Sequence, residues 1–81
     1  MKKNLIKGYR VALGYTQSQM AEKLNLSTNS YSDKEKGKRT FTATEIKKYW
    51  EILEDNKIKA DVKEIFLINY YSYYSYYRYV G

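Results

Sequence analysis

The stretch "TQSQMAEKLNLSTNSYSDKE", residues 16 to 35, contains two short helical patterns joined by a tight corner. Thr16 can cap the first helix, and Gln19 three residues later completes a capping box. The apolar residues that follow recur at helical spacing and predict one buried stripe, made of Met20, Ala21 and Leu24. This segment is therefore predicted to be an amphipathic helix that ends near Leu24.

The corner itself is the sequence "NLS". Asn25 is one of the few non-glycine residues that enter the left-handed region at low cost, and Leu26 can fill the inside of the turn. Ser27 is a good N-cap for a second helix, which we expect to run to about Lys36 and to end at Gly37. Two short helices across such a corner predict a helix-turn-helix.

Further helices are predicted on both sides of this pair. Residues 4–13 carry apolar side chains on one helical face, and Gly14 supplies a C-terminal stop. On the C-terminal side of the pair, Thr42 and Glu45 form a second capping box and predict the start of another helix. The inner face of that helix is predicted to consist of Ile46, Tyr49, Trp50 and Leu53. A fifth, weaker helix is expected to start at Asp61 and to carry Val62, Ile65 and Phe66.

The composition limits the possible functions. With 81 residues, 43% of them hydrophobic and 30% charged, the chain is suited to one small globular domain. It has no cysteine and no histidine, which excludes disulfides, thiol nucleophiles and the usual zinc sites. We expect no catalytic constellation and no cofactor. No apolar run is long enough to span a bilayer, so we expect a soluble, cytoplasmic protein without a membrane partner.

The net charge is +6 and the sequence pI is about 9.4. Such a balance favours a polyanionic partner, although a basic surface often serves only solubility. The decision between these readings depends on where the charge lies. Part of it follows the second helix of the pair directly, in the run Lys36, Gly37, Lys38 and Arg39.

The C-terminal segment "YYSYYSYYRYVG" is of low complexity and holds many of the 11 tyrosines. We divide the chain into a helical domain, residues 1–68, and a tyrosine-rich tail, residues 69–81. Both a helical stripe and a strand are compatible with the tail, since tyrosine favours sheets. Three roles stay open for it, namely a poorly ordered end, a dimer contact and strand pairing with another chain.

Residues 5–53 resemble the Xre-like helix-turn-helix domain of phage repressors and Cro proteins. The resemblance is carried by "GYTQSQMAEKLNLS", by a helix that ends "KEKGKR", and by a capped fourth helix. It implies a compact all-α bundle of about five short helices that binds double-stranded operator DNA, often as a dimer. It also implies a regulator in a bacterial cell or a phage-infected host. The alternative is a protein-interaction module on the same fold, such as an antitoxin or antirepressor.

The resemblance also assigns roles to individual residues. Gln17 matches a position that contacts a DNA phosphate. The basic run matches a loop that contacts the DNA backbone, and its charged members are Lys36, Lys38 and Arg39. Base-contacting positions of the second helix are matched by Thr28, Asn29, Ser32 and Asp33. Arg10 and Glu35 match an internal ion pair.

Helical spacing supports this assignment of the second helix. Tyr31 and Glu35 are i, i+4 and can both face inward, which leaves the short polar residues on the outer face. A major groove about 12 Å wide admits such a helix, and Asn29 there can bond adenine in bidentate fashion. Thr28 can contact a thymine methyl group and Asp33 can accept from cytosine. Lys34 departs from the family's usual large apolar residue, and we expect its ammonium group to reach water.

Overall fold

The computed structural model describes residues 4–61 and 65–66, and these residues contain four helices and no strand. They are α1 (Leu5–Leu13), α2 (Gln17–Lys23), α3 (Thr28–Glu35) and α4 (Ala43–Asp55). The all-α prediction and the helix-turn-helix formed by α2 and α3 are confirmed. The expected count of five helices is not confirmed: within the predicted fifth helix the structure describes Asp61, Ile65 and Phe66, and the Ile65 N–H donates to the Asp61 carbonyl at 2.9 Å. The tyrosine-rich tail lies outside the described residues.

Each helix begins at a polar side chain that caps it. The side-chain oxygens of Asn4, Thr16, Ser27 and Thr42 each accept a hydrogen bond from the backbone N–H three residues further on. Both predicted capping boxes are present, at the starts of α2 and α4. Such caps satisfy backbone donors that have no partner inside the helix, which explains why these boundaries were readable from the sequence.

Each helix also ends in the same way, with a residue of positive φ. These residues are Gly14 (81°), Asn25 (58°), Gly37 (84°) and Lys57 (59°). In every case the two N–H groups at this turn donate back to the last carbonyls of the helix, which is the Schellman pattern. The first three stops were predicted; the fourth was not, because lysine does not favour this conformation.

One hydrophobic core lies between the helices. It consists of Ile6, Met20, Ala21, Leu24, Tyr31, Phe41, Tyr49, Leu53, Ile65 and Phe66. The ring of Phe66 packs edge-on against those of Phe41 and Tyr49, with centroids 5.2 and 5.3 Å away. Trp50 was expected on the inner face of α4 but is only half-buried, where it lines a surface groove with Glu54.

Two buried tyrosines, one on α4 and one on α3, help to join the helices around this core. The Tyr49 hydroxyl donates to the Ile6 carbonyl at 2.6 Å and so joins α4 to α1. Tyr31, in the middle of α3, is fully buried and packs edge-on against Phe41. Since Tyr31 fixes the inner side of α3, the opposite side of this helix is turned to solvent.

Candidate nucleic-acid interface

The outer face of α3 carries the four predicted base-contacting residues. Thr28 and Asn29 are exposed in the first turn, and Ser32 and Asp33 are half-buried one turn later. Ser27 accepts a hydrogen bond from the Ser30 N–H at 3.1 Å and sets the start of the helix. The structure thus brings four short polar side chains together on one helix of eight residues.

The basic run folds back against the end of α3. The Gly37 N–H donates to the Lys34 carbonyl at 3.1 Å, and the Lys38 N–H donates to the Asp33 carbonyl at 2.8 Å. Gly37 can adopt the required positive φ without a steric penalty. The exposed cationic side chains of this run are those of Lys36, Lys38 and Arg39. Positive charge therefore lies directly beside the polar outer face of α3.

Arg10 and Glu35 are paired in the structure and join α1 to α3. The Arg10 Nε lies 2.8 Å from Glu35 Oε2, and a second guanidinium nitrogen lies 3.2 Å from Oε1. Their side chains are 10% and 3% exposed, so the pair is shielded from water. A third guanidinium N–H donates to the Tyr15 carbonyl at 2.8 Å. The bidentate geometry is the one that suits arginine and a carboxylate.

The Glu35 carboxylate has two further donors. The Tyr31 hydroxyl donates to Oε2 at 2.6 Å, and the Gln17 side-chain amide donates to Oε1 at 3.1 Å. We call these four residues, Arg10, Gln17, Tyr31 and Glu35, the Glu35 network. Every helix of the helix-turn-helix, and α1 beside it, contributes to it.

The network keeps the carboxylate ionised. Burial alone would raise the pKa of Glu35, but the hydrogen bonds from Arg10, Tyr31 and Gln17 outweigh burial and lower it below its ordinary value of 4.5. The hydrogen bond to Glu35 in turn raises the pKa of Arg10. Burial, and then the hydrogen bond to Glu35, raise the pKa of the Tyr31 hydroxyl, which stays protonated. The network thus has one positive and one negative charge and no net charge.

Among the predicted DNA-contacting residues, Gln17 has a side-chain hydrogen bond to another side chain of the protein. It is half-buried at the first position of α2, and its amide nitrogen contacts Glu35. A primary amide has two N–H donors and one acceptor oxygen. The bond to Glu35 uses one donor, so the second donor of Gln17 stays available for another acceptor.

Lys34 contradicts the expectation that its ammonium group reaches water. The residue is 6% exposed, and its Nζ lies 2.6 and 2.9 Å from the two carboxylate oxygens of Glu45. Glu45 also accepts the Thr42 N–H in the capping box at the start of α4. The cation is therefore neutralised inside the protein and does not belong to the basic surface. Burial would raise the pKa of Glu45, yet the bonds from Lys34 and Thr42 lower it below 4.5.

Residues 4–61 and 65–66 show neither a metal-binding cluster nor a membrane-spanning helix. No group of three or more carboxylate, histidine or cysteine residues in this part of the chain is arranged to hold a metal ion. Among the helices that the structure describes, none has the length and apolar character needed to cross a membrane.

Comparison with known proteins agrees with this geometry. Neither curated proteins nor solved structures gave a match to the chain. A family model described as helix-turn-helix matches residues 6–54, which is more than half of the chain and includes all four helices almost entirely. Its members are DNA-binding regulators of the Xre, Cro and CI type. The chain belongs to this helix-turn-helix family.

Proposed function

We propose that this protein is a sequence-specific transcription regulator, of the phage-repressor or Cro type, that inserts α3 into the major groove of operator DNA. The observation that supports this most directly is the outer face of α3, where polar side chains are exposed beside a basic turn. It acts in the cytoplasm of a bacterial cell or a phage-infected host, and it carries out no chemical step.

Readout of sequence is assigned to the four outer residues of α3. Asn29 is exposed in the first turn and has the donor and acceptor needed for the N6 and N7 positions of adenine. Thr28 beside it offers a methyl group to thymine, and Asp33 offers an acceptor to the N4 amino group of cytosine. Ser32 lies between them and can bond either type of group.

Affinity is assigned to contacts with phosphates. The side chains of Lys36, Lys38 and Arg39 are exposed and follow the recognition helix, so they face the same partner. Charged contacts of this kind release counterions and carry little sequence information. The free N–H of the Gln17 amide is assigned to a phosphate oxygen as well.

The experiment that tests this function separates base contacts from phosphate contacts. An operator is first selected from a random duplex pool, and salt titrations are then run on it and on a scrambled duplex. Asn29→Ala should cost about 1–3 kcal/mol on the operator and relax the preference at one base pair, while binding to the scrambled duplex stays nearly unchanged. Lys38→Ala should weaken both complexes and reduce the salt slope by about 1.

A lysine far from α3 supplies the matched control. Lys59 is exposed beyond the C-terminal end of α4, a helix about 20 Å long whose other end lies near the basic turn. Lys59→Ala removes the same charge, and because Lys59 lies after Leu53 it is measured on a single half-site and on a scrambled duplex, where it should change neither titration. If Asn29→Ala lost affinity equally on both duplexes, α3 would not be the reading element. If no duplex bound at all, the protein-interaction module would replace this proposal.

We also propose a weak homodimer, with contacts from residues after Leu53. Dimeric helix-turn-helix proteins place their recognition helices about 34 Å apart, on successive turns of one DNA face. The groove beside half-buried Trp50 is formed partly by Ile58 and Ala60, within the segment that would make such contacts. Sedimentation of the full chain, and of a chain lacking residues 69–81, measures the mass. A full chain that is monomeric at high concentration and binds a single half-site would contradict the dimer.

A further inference from the structure

Glu35 lies at the end of α3, yet its carboxylate and its backbone carbonyl contact the starts of two other helices. Gln17, the first residue of α2, donates its side-chain amide to Oε1 at 3.1 Å. Asn4, the cap of α1, donates its side-chain amide to the Glu35 backbone carbonyl at 2.9 Å. Arg10, in the last turn of α1, donates to the same carboxylate. Glu35 is thus fixed by donors from α1 and from α2.

An ionised carboxylate can only accept hydrogen bonds. The Gln17 amide must therefore turn its nitrogen, and not its oxygen, toward Glu35. A half-exposed glutamine without such a partner would sample several rotamers, and fixing it on binding would cost conformational entropy. With the bond in place, the side chain is held before any partner arrives.

We propose that Glu35 is a positioning residue for DNA binding, which orients the Gln17 amide so that its second N–H meets a phosphate oxygen. This inference rests on the proposed function. Arg10 is part of the arrangement, because it neutralises the carboxylate that would otherwise repel a nearby phosphate. The phosphate contact and the recognition helix are thereby fixed to each other through one side chain of α3.

The charge of Glu35 makes the proposal easy to distinguish from a simple electrostatic effect. Removing a carboxylate near a polyanion should by itself tighten binding. Positioning predicts the opposite, since the loss of Glu35 frees the Gln17 amide. Glu35→Asp keeps the charge but shortens the side chain by one carbon–carbon bond of about 1.5 Å. It therefore tests whether the carboxylate must reach the Gln17 amide.

The test is a double-mutant cycle between positions 17 and 35, measured as affinity for the selected operator. The chains are wild type, Glu35→Asp, Gln17→Ala and the double variant, with Glu35→Gln as a second variant at position 35. All are compared under conditions where circular dichroism shows them fully folded. Either change at position 35 should weaken operator binding about three- to tenfold, and less than about twofold when Gln17→Ala is already present.

The outcomes separate three explanations. Equal losses with and without Gln17→Ala would mean that Glu35 acts only on the shape of the fold, and would overturn the proposal. Tighter binding by either variant at position 35 would also overturn it, since Glu35 would then withhold Gln17 from the phosphate. So would an unchanged affinity for Gln17→Ala. If wild type bound no duplex, the proposed function itself would fail.

A measurement on the unmodified chain covers the case in which variants at position 35 do not fold. Hydrogen exchange of side-chain amides is followed by NMR, with Gln19 as the internal control. Gln19 is exposed, and in the capping box it uses its amide oxygen. The Gln17 amide should exchange more slowly than that of Gln19 in the free protein and should stay slow with operator bound. Exchange as fast as that of Gln19, in either state, would overturn the proposal.

Discussion

Two neighbouring residues of α3, Lys34 and Glu35, are both charged and both buried, but their ion-pair partners lie on different helices. Lys34 is 6% exposed and pairs with Glu45 of α4, whereas Glu35 is 2% exposed and pairs with Arg10 of α1. Helix α3 is therefore held by one ion pair to α1 and one to α4. The two pairs differ in what surrounds them, and this difference determines how replaceable each pair is.

The pair on the α1 side belongs to a network with several polar members. Besides Arg10, the Glu35 carboxylate receives the Tyr31 hydroxyl and the Gln17 amide. If the carboxylate were removed, the buried Tyr31 hydroxyl would lose its acceptor and the buried Arg10 guanidinium would keep only the Tyr15 carbonyl among the acceptors described above. Buried polar networks of this kind are costly to leave partly satisfied.

The pair on the α4 side is simpler. The Lys34 ammonium donates to both oxygens of the Glu45 carboxylate, which also accepts the Thr42 N–H that closes the capping box. The Glu45 side chain is 13% exposed, compared with 3% for Glu35. Since water and the Thr42 N–H also contact Glu45, replacing one partner of this pair should cost less folding free energy.

The largest effect is expected from Arg10→Ala. It leaves the Glu35 carboxylate buried without its cation, and breaking a buried pair in this way typically costs about 3 kcal/mol or more of folding free energy. Urea unfolding measures the change. Lys7→Ala, at an exposed position on the same helix, is the matched control and should stay close to wild type. An unchanged unfolding free energy for Arg10→Ala would mean that the pair does not hold α1 to α3.

A smaller loss is expected from Lys34→Ala. The change removes a packed aliphatic stem and leaves Glu45 with its Thr42 bond and partial access to water, so we expect a cost of about 2 kcal/mol. Lys36→Ala, two residues further on but exposed, is the control and should be nearly neutral. The comparison of the two sides would be wrong if Lys34→Ala cost more than Arg10→Ala.

Acid should weaken both sides, and the α1 side should account for most of the loss. The pKa values of Glu35 and Glu45 are lowered below 4.5 in the folded protein. A carboxyl with a depressed folded pKa stabilises the protein above its unfolded pKa, and this stability is lost as the pH falls through the folded pKa. Unfolding free energy should therefore be constant near neutral pH and decrease below about pH 4.5.

The Glu45→Gln variant separates the two contributions to this acid dependence. Glutamine keeps the capping box but does not titrate, so the variant should lose only the smaller share of the acid sensitivity. Urea unfolding is repeated at several pH values for both chains. If Glu45→Gln abolished the decrease below about pH 4.5, the dominant carboxyl would be Glu45 and not Glu35.

The fold was predictable because its signals are local. The capping boxes at Thr16 and Thr42 and the stops at Gly14, Asn25 and Gly37 each act within a few residues of chain. They sufficed to locate four helices and the corner between α2 and α3. The stop at Lys57 was missed, because lysine has no preference for positive φ that would predict a turn there.

The site was predictable only in part, because its buried bonds join distant residues. Arg10 and Glu35 were expected as a pair through the family resemblance, although 25 positions separate them. The bond between Gln17 and Glu35 spans 18 positions, and the pair of Lys34 and Glu45 spans 11. A long flexible lysine fits a solvated position and a buried pair equally well, so its partner is decided by the packing of α4.

The smallest effect is expected when both partners on the α4 side are replaced, and it sharpens the comparison most. In Lys34→Leu with Glu45→Gln, leucine takes the volume of the lysine stem while glutamine preserves the capping box. Replacing a buried ion pair by groups of similar volume is often neutral or stabilising, because two desolvated charges disappear together. We therefore expect an unfolding free energy within about 1 kcal/mol of wild type. The matched double change on the other side, Arg10→Met with Glu35→Gln, should stay clearly destabilising, since Tyr31 and Gln17 donate to different carboxylate oxygens and the new amide puts an NH2 donor in place of one of them. Urea unfolding of both double variants decides the point. Equal losses of unfolding free energy in the two double variants would show that the Glu35 network adds no stability beyond that of its ion pair.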